Sequence, residues 1–162
     1  TYELVAFCCL SETLNAALLL AVLERIEEPR IREAVHSLLV DEVKHGQLGW
    51  AMLQWSRECG RGAFLQDEIV GMLQAIGVKR LYSDVDEGAF FEELAGYGEL
   101  SQSARQEIFV TAMQTIIFPG LERAGIDSSP TAQWLGVIDA RFRVEASSHV
   151  SETGQLADTE DG

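Results

Sequence analysis

The chain has 162 residues, 47% of them apolar and 23% charged, the balance of a globular domain rather than of a disordered segment. Its formal net charge of -14 argues against a reader of phosphate backbones and suits cations or a basic protein surface. The three cysteines, Cys8, Cys9 and Cys59, make no disulfide framework, so a reducing, cytoplasmic setting is expected.

Helix formers dominate and no run alternates cleanly enough for a strand, so the fold expected is all-α. The first helix spans about Tyr2 to Glu27. Pro29 then opens a second, where its missing N–H costs nothing, and this one runs to about Cys59, closed by Gly60 and Gly62. Two long helices joined by a short turn predict an antiparallel hairpin. Ala63–Ile76 reads as helical and is closed by Gly77, and the glycine-punctuated stretch 82–99 reads as loop-like. A third substantial helix spans about Ser101–Ala124, with Pro119-Gly120 expected to kink it. Thr131–Glu145 is a last helix, started by Ser129 and Pro130, and the polar, acidic end is expected to fray. The organisation predicted is a hairpin over residues 1–60, an additional helical region over 61–147 packing on it, and a flexible acidic tail over 148–162. The apolar run Leu14–Leu23 is too short to span a bilayer, no signal peptide pattern precedes it, and no membrane or nucleic-acid partner is expected. The first residue is Thr1, not Met, and residues upstream of it are expected.

Helical spacing places Ile31, Val35, Leu38, Glu42, His45, Gly49 and Met52 on one stripe of the second helix. Glu42 and His45 are thereby aimed at the core. On the first helix, Val5, Cys8, Glu12, Ala16, Leu19, Leu23 and Ile26 share a stripe on which Glu12 is the single charge. Glu12 and His45 lie equally far in sequence from the Glu28-Pro29 turn, roughly 25 Å along facing helices. Glu12, Glu42 and His45 therefore meet at one level of an apolar interface. Buried carboxylates need hydrogen bonds, opposite charge or metal. A divalent cation satisfies all three groups, and two such half-sites make the Glu4His2 set of a dinuclear carboxylate bundle. A core histidine bonded to Glu12, without metal, is the alternative reading. Gly46 and Gly49 remove bulk beyond His45 and leave room for a neighbouring helix, a ligand or oxygen, while Trp50, Trp55 and Phe7 supply apolar bulk.

The pattern Ser-Glu-Thr around Glu12, followed about thirty residues later by Asp-Glu-Val-Lys-His, resembles one half of a ferritin-like four-helix bundle. The resemblance covers Thr1 to about Arg57 and implies that Glu12 is a terminal ligand, Glu42 a bridging carboxylate and His45 a terminal nitrogen ligand. It implies that Asp41 supports a metal-bound histidine. Lys44 stands where such proteins often carry arginine. The cofactor implied is iron in a two-metal site shared with another half-bundle, or manganese. The activity implied is that of a non-haem di-iron oxidase or oxygenase acting with O2 and a small organic substrate. An iron-oxidising or storage protein, and a metal-free helical scaffold on a degenerate core, are the alternatives. No second Glu-x-x-His occurs in the chain: His36 and His149 are its other histidines, and neither sits in that motif. The missing half is expected from a second copy in a homodimer, or from a hairpin upstream of Thr1.

Overall fold

A computed structural model describes residues 2–76 and 94–139. Among these the fold is all-α, with no strand. The predicted loop-like passage falls mostly, and the acidic tail wholly, outside the described residues. Two compact units are present, Thr1–Ser128 and Ser129–Gly162. The hairpin and the helices that follow it, as far as residue 128, share the first. In the second, residues 129–139 are helical and begin at the Ser-Pro pair.

Helix α1, Tyr2–Arg25, and helix α2, Pro29–Glu58, form the predicted hairpin. The turn is built as its residues dictate. Glu28 takes an extended conformation and its carboxylate accepts from the Arg30 N–H, with Pro29 opening the helix. From α2, the Arg32 guanidinium donates to the Leu23 carbonyl at 2.8 Å and to the Ile26 carbonyl at 3.4 Å. A cation thus covers the free carbonyls at the negative end of α1.

α1 is not uniform. Tyr2–Leu4 is α-helical, Val5–Ser11 is π-helical and Glu12–Arg25 is α-helical again. The π segment accommodates one residue more than a regular turn would. Val5, Ala6, Cys9, Leu10, Thr13 and Leu14 are all buried, at steps of four, a wider period than a straight α-helix keeps on one face. By length and composition the whole of α1 is long and apolar enough to cross a membrane, although Leu14–Leu23 alone is not. Here its first half is core, packed against α2 and a short helix α3, Ile69–Ala75.

The segment expected as one helix over Ala63–Ile76 is instead a 3-10 turn, Ala63–Asp67, and α3, separated at Glu68. A single 3-10 turn, Ala95–Tyr97, leads through Gly98 to the next helix. That helix, α4, covers residues 102–123. Ser101 caps it by accepting from the Ala104 N–H at 3.0 Å. The irregularity expected at Pro119 is met by a second π segment, Met113–Ile117, after which Pro119 sits in the first turn of a renewed α-helix, Phe118–Arg123. Gly125 closes α4 at φ +72°. Arg57 of α2 reaches this end, donating to the Ala124 carbonyl at 2.9 Å and the Gly125 carbonyl at 2.6 Å.

The tightest packing is at the end of the hairpin remote from its turn. Leu10, Leu53, Leu65, Met72, Phe109 and Met113 are among its fully enclosed side chains. Towards the turn, α1 and α2 are half-open, and the Glu12–Glu42–His45 level lies between the two regions.

Candidate metal centre

The structure brings Glu12, Glu42 and His45 together: one ligand atom from each lies within 4.8 Å of the other two. His45 Nδ1 is 3.6 Å from Glu12 Oε2 and 3.9 Å from Glu42 Oε2. These are ion-pair distances, too long for hydrogen bonds. The three groups face one another without closing on one another. The hydrogen bond from His45 to Glu12 that the metal-free alternative invokes is not formed at this spacing.

The sharper anomaly is Glu42. Its Oε2 is buried and has no hydrogen-bond partner. A carboxylate oxygen withdrawn from water and left unbonded costs on the order of 1–3 kcal/mol, more when charged. Native structures keep few such groups without a reason. A divalent cation among the three donors removes the deficit, because imidazole nitrogen and carboxylate oxygen are its ordinary ligands. The residues therefore fit the metal that their pattern implies.

The stripe drawn from the sequence needs one correction. On α2 the enclosed positions are Gly46, Gly49, Leu53 and Ser56, with Glu42 half-buried one turn before them. Leu38, His45 and Met52 lie on a flank instead, with the His45 side chain 59% exposed. The stripe keeps pace with the buried face at Glu42 and Gly49; its error is one of flank, taking Leu38, His45 and Met52 where the residues one further on, Leu39, Gly46 and Leu53, are the more enclosed. His45 thus sits at the rim of its own hairpin rather than inside it. Asp41 is further round. Its carboxylate is 3.2 Å from Lys44 Nζ, both groups well exposed. No contact between Asp41 and its own His45 is formed.

Of the uses open to the two glycines, a neighbouring helix, a ligand or oxygen, the structure shows the first. A Cβ on Gly49 would fall 2.6 Å from Cys8 Cβ and 2.7 Å from the Cys8 carbonyl carbon, so the space is filled by α1 itself. At Gly46 the neighbours are Thr13 Oγ1 at 3.4 Å and the Cys8 carbonyl at 3.7 Å. Both glycines seat the π segment against α2. Glu12 ends that segment: its own N–H donates to the Phe7 carbonyl, five residues back. The irregular turn and the candidate ligand are therefore one feature, and π-turns of this kind occur often at functional sites.

Two further features escape sequence reading. Trp50 Nε1 donates to Thr13 Oγ1 at 3.1 Å, tying α2 to the residue after Glu12. The far edge of the Trp50 ring is packed on Gly120, where a Cβ would lie 2.8 Å from it. An apolar groove of about 370 Å³ opens beside this contact, lined by Ala16, Leu20, Leu39, Glu42, Val43 and Ile116 among others. Gly46 also lines this groove, so one of the two glycines borders open space as well as α1. Beneath the site, burial, reinforced by neighbouring Cys8, pushes the Cys9 thiol up to about 12. Cys9 is thus a packing residue.

No family model, curated protein or solved structure matches the chain. The class rests on fold and site: an all-helical bundle whose Glu/Glu/His cluster is consistent with a ferritin-like metal site.

Proposed function

We propose that the protein carries one half of a dinuclear metal centre of the ferritin-like kind, held by Glu12, Glu42 and His45, and that it acts as a non-haem oxidase or oxygenase with O2. The observation that carries this reading is the unpartnered, buried Glu42 Oε2 facing His45 Nδ1 from 3.9 Å. Iron or manganese held there would supply the electron-transfer chemistry with O2 that carboxylate and imidazole side chains lack. The chain's own residues do the rest. Glu12 is presented by the π-turn that it closes, and the Thr13–Trp50 bond fixes the helix immediately behind it. Glu42 stands between the cluster and the apolar groove, so a small apolar substrate lying along Leu20, Leu39 and Val43 would have its near end at the ligand carboxylate. That groove favours oxidation of an organic substrate over simple iron oxidation, which requires no such space. Three donors from one hairpin are half of the set, and the exposed rim position of His45 suits completion by another half-bundle, from a second copy or from chain upstream of Thr1.

Metal content per chain, measured by mass spectrometry after anaerobic loading with ferrous iron, tests the reading. About one ion per chain that is lost in Glu42→Gln supports it. No bound ion sinks it and leaves a metal-free helical scaffold.

A further inference from the structure

The flank of α2 that carries His45 has a pattern that the half-site does not use. Leu38, Asp41, His45 and Leu48 follow at steps of three, four and three residues, and the steps continue in both directions, through Ala34 to Ile31 and through Met52 to Trp55. This is the spacing of a coiled-coil seam, alternating three and four over more than three heptads. It is open: Leu38 is 56% exposed, Leu48 58% and Trp55 50%. A soluble helix seldom leaves so regular an apolar seam without a partner.

We propose that the seam joins two copies of this chain, α2 running antiparallel to α2 about a twofold axis level with Val43. The evidence for a second copy, rather than a foreign helix, is that the seam is self-complementary when reversed. Leu38 and Leu48 are equidistant from Val43, so each meets the other across the axis. Asp41 meets the partner's His45, and His45 meets the partner's Asp41. The outer layers pair Ala34 with Met52, small against long, and Ile31 with Trp55. A twofold interface needs just this property, each patch complementary to itself. A parallel pairing would set Asp41 on Asp41 in the middle of an apolar seam, which is costly. One polar layer flanked by apolar ones also fixes the register, since any slip buries Asp41 or His45 against leucine. Asp41 gives up only a solvent-exposed contact to Lys44, of little worth.

The proposal rests on the half-site reading for what the contact achieves: it brings His45 of both chains to adjoining layers, each beside a carboxylate that its own chain does not offer it. The net charge of -14 on each copy opposes association, so the dimer tightens as salt rises towards about 0.5 M.

The test is cross-linking in the full chain. Leu38→Cys and Leu48→Cys are ten residues apart on one helix, roughly 15 Å, beyond the reach of a disulfide within a chain. In a glutathione redox buffer the double variant should run as a covalent dimer of twice 17.9 kDa, and each single variant as monomer. A double variant that stays monomeric, or Leu38→Cys alone linking as readily, overturns the register. Leu48→Glu, at an exposed position that leaves helix content unchanged, should convert the untreated protein from dimer to monomer; an unchanged mass overturns the seam. Metal content on the same preparations separates the two readings. A cross-linked dimer holding no metal keeps the seam and removes the metal centre, whereas a monomer holding its metal removes the seam alone.

Discussion

Gly49 and Cys8 touch backbone to backbone: nothing larger than hydrogen fits between α2 and the π segment of α1 at this point, since an added Cβ would stand 2.7 Å from the Cys8 carbonyl carbon. The neighbour is main chain and cannot swing aside. Gly49→Ala should therefore cost about 1–3 kcal/mol, the range for overpacking, in spite of alanine's better helix propensity. Gly136, whose added Cβ would meet nothing within 4 Å, is the control, and there the same change should be neutral or stabilising. Denaturant unfolding of both variants decides it.

Glu42 should show opposite effects with and without metal. Glu42→Gln removes a charge from a buried oxygen that has no hydrogen bond and only a 3.9 Å approach to His45, so metal-free protein should be no less stable and up to about 1 kcal/mol more stable. The same variant should lose the stabilisation that ferrous iron gives the wild type. Paired melting curves, with and without iron, measure both. A loss of stability in the metal-free variant would show that Glu42 has a structural partner.

Thr13 and Trp50 form one bond between the two hairpin helices. Thr13→Val and Trp50→Phe should each cost about 0.5–1.5 kcal/mol for the bond, with Trp50→Phe adding lost packing on Gly120. A double-mutant cycle should give a coupling of about 1 kcal/mol. Additive effects would mean that the bond contributes nothing.

Cys9 predicts a loss of stability in alkali. Its thiol is raised from 9.0 in the unfolded chain to about 12 in the fold. The folded state therefore holds the proton where the unfolded state has released it, and stability falls as pH rises from 9 towards 12. Cys9→Ala should flatten that part of the pH profile, read from denaturant midpoints. At pH 8, exposed Cys59 should react with iodoacetamide long before Cys9.

The hairpin was legible in the sequence because its signals are local. Pro29, the apolar run on each side and the glycines after Cys59 fix two helices and their turn, and equal sequence distance then sets Glu12 opposite His45. What stayed hidden depends on register. A π-turn changes the phase of α1 by one residue with no marker residue of its own; only the four-residue steps from Val5 to Leu14 betray it. The same limitation placed His45 inside the hairpin rather than on its rim, since a three-four pattern through Glu42 and Gly49 does not say which flank, His45 or Gly46, the partner helix covers. The break at Glu68 and the groove beside Trp50 depend on contacts distant in sequence, which no local pattern records.

The extra residue in Val5–Ser11 has a consequence for how the chain tolerates change. Deleting any one residue of that segment would heal α1 into a regular α-helix with better backbone geometry. It would also rotate everything before the deletion by about a third of a turn against everything after it. Cys8 would leave Gly49, or Glu12 would leave Glu42. A shorter and locally more regular helix is thus one deletion away, and its cost falls on the cluster and on the core packing of Val5, Ala6, Cys9 and Leu10 against α2. Length variation in these seven residues would therefore separate chains that keep the Glu12–Glu42–His45 grouping from chains that keep only the bundle.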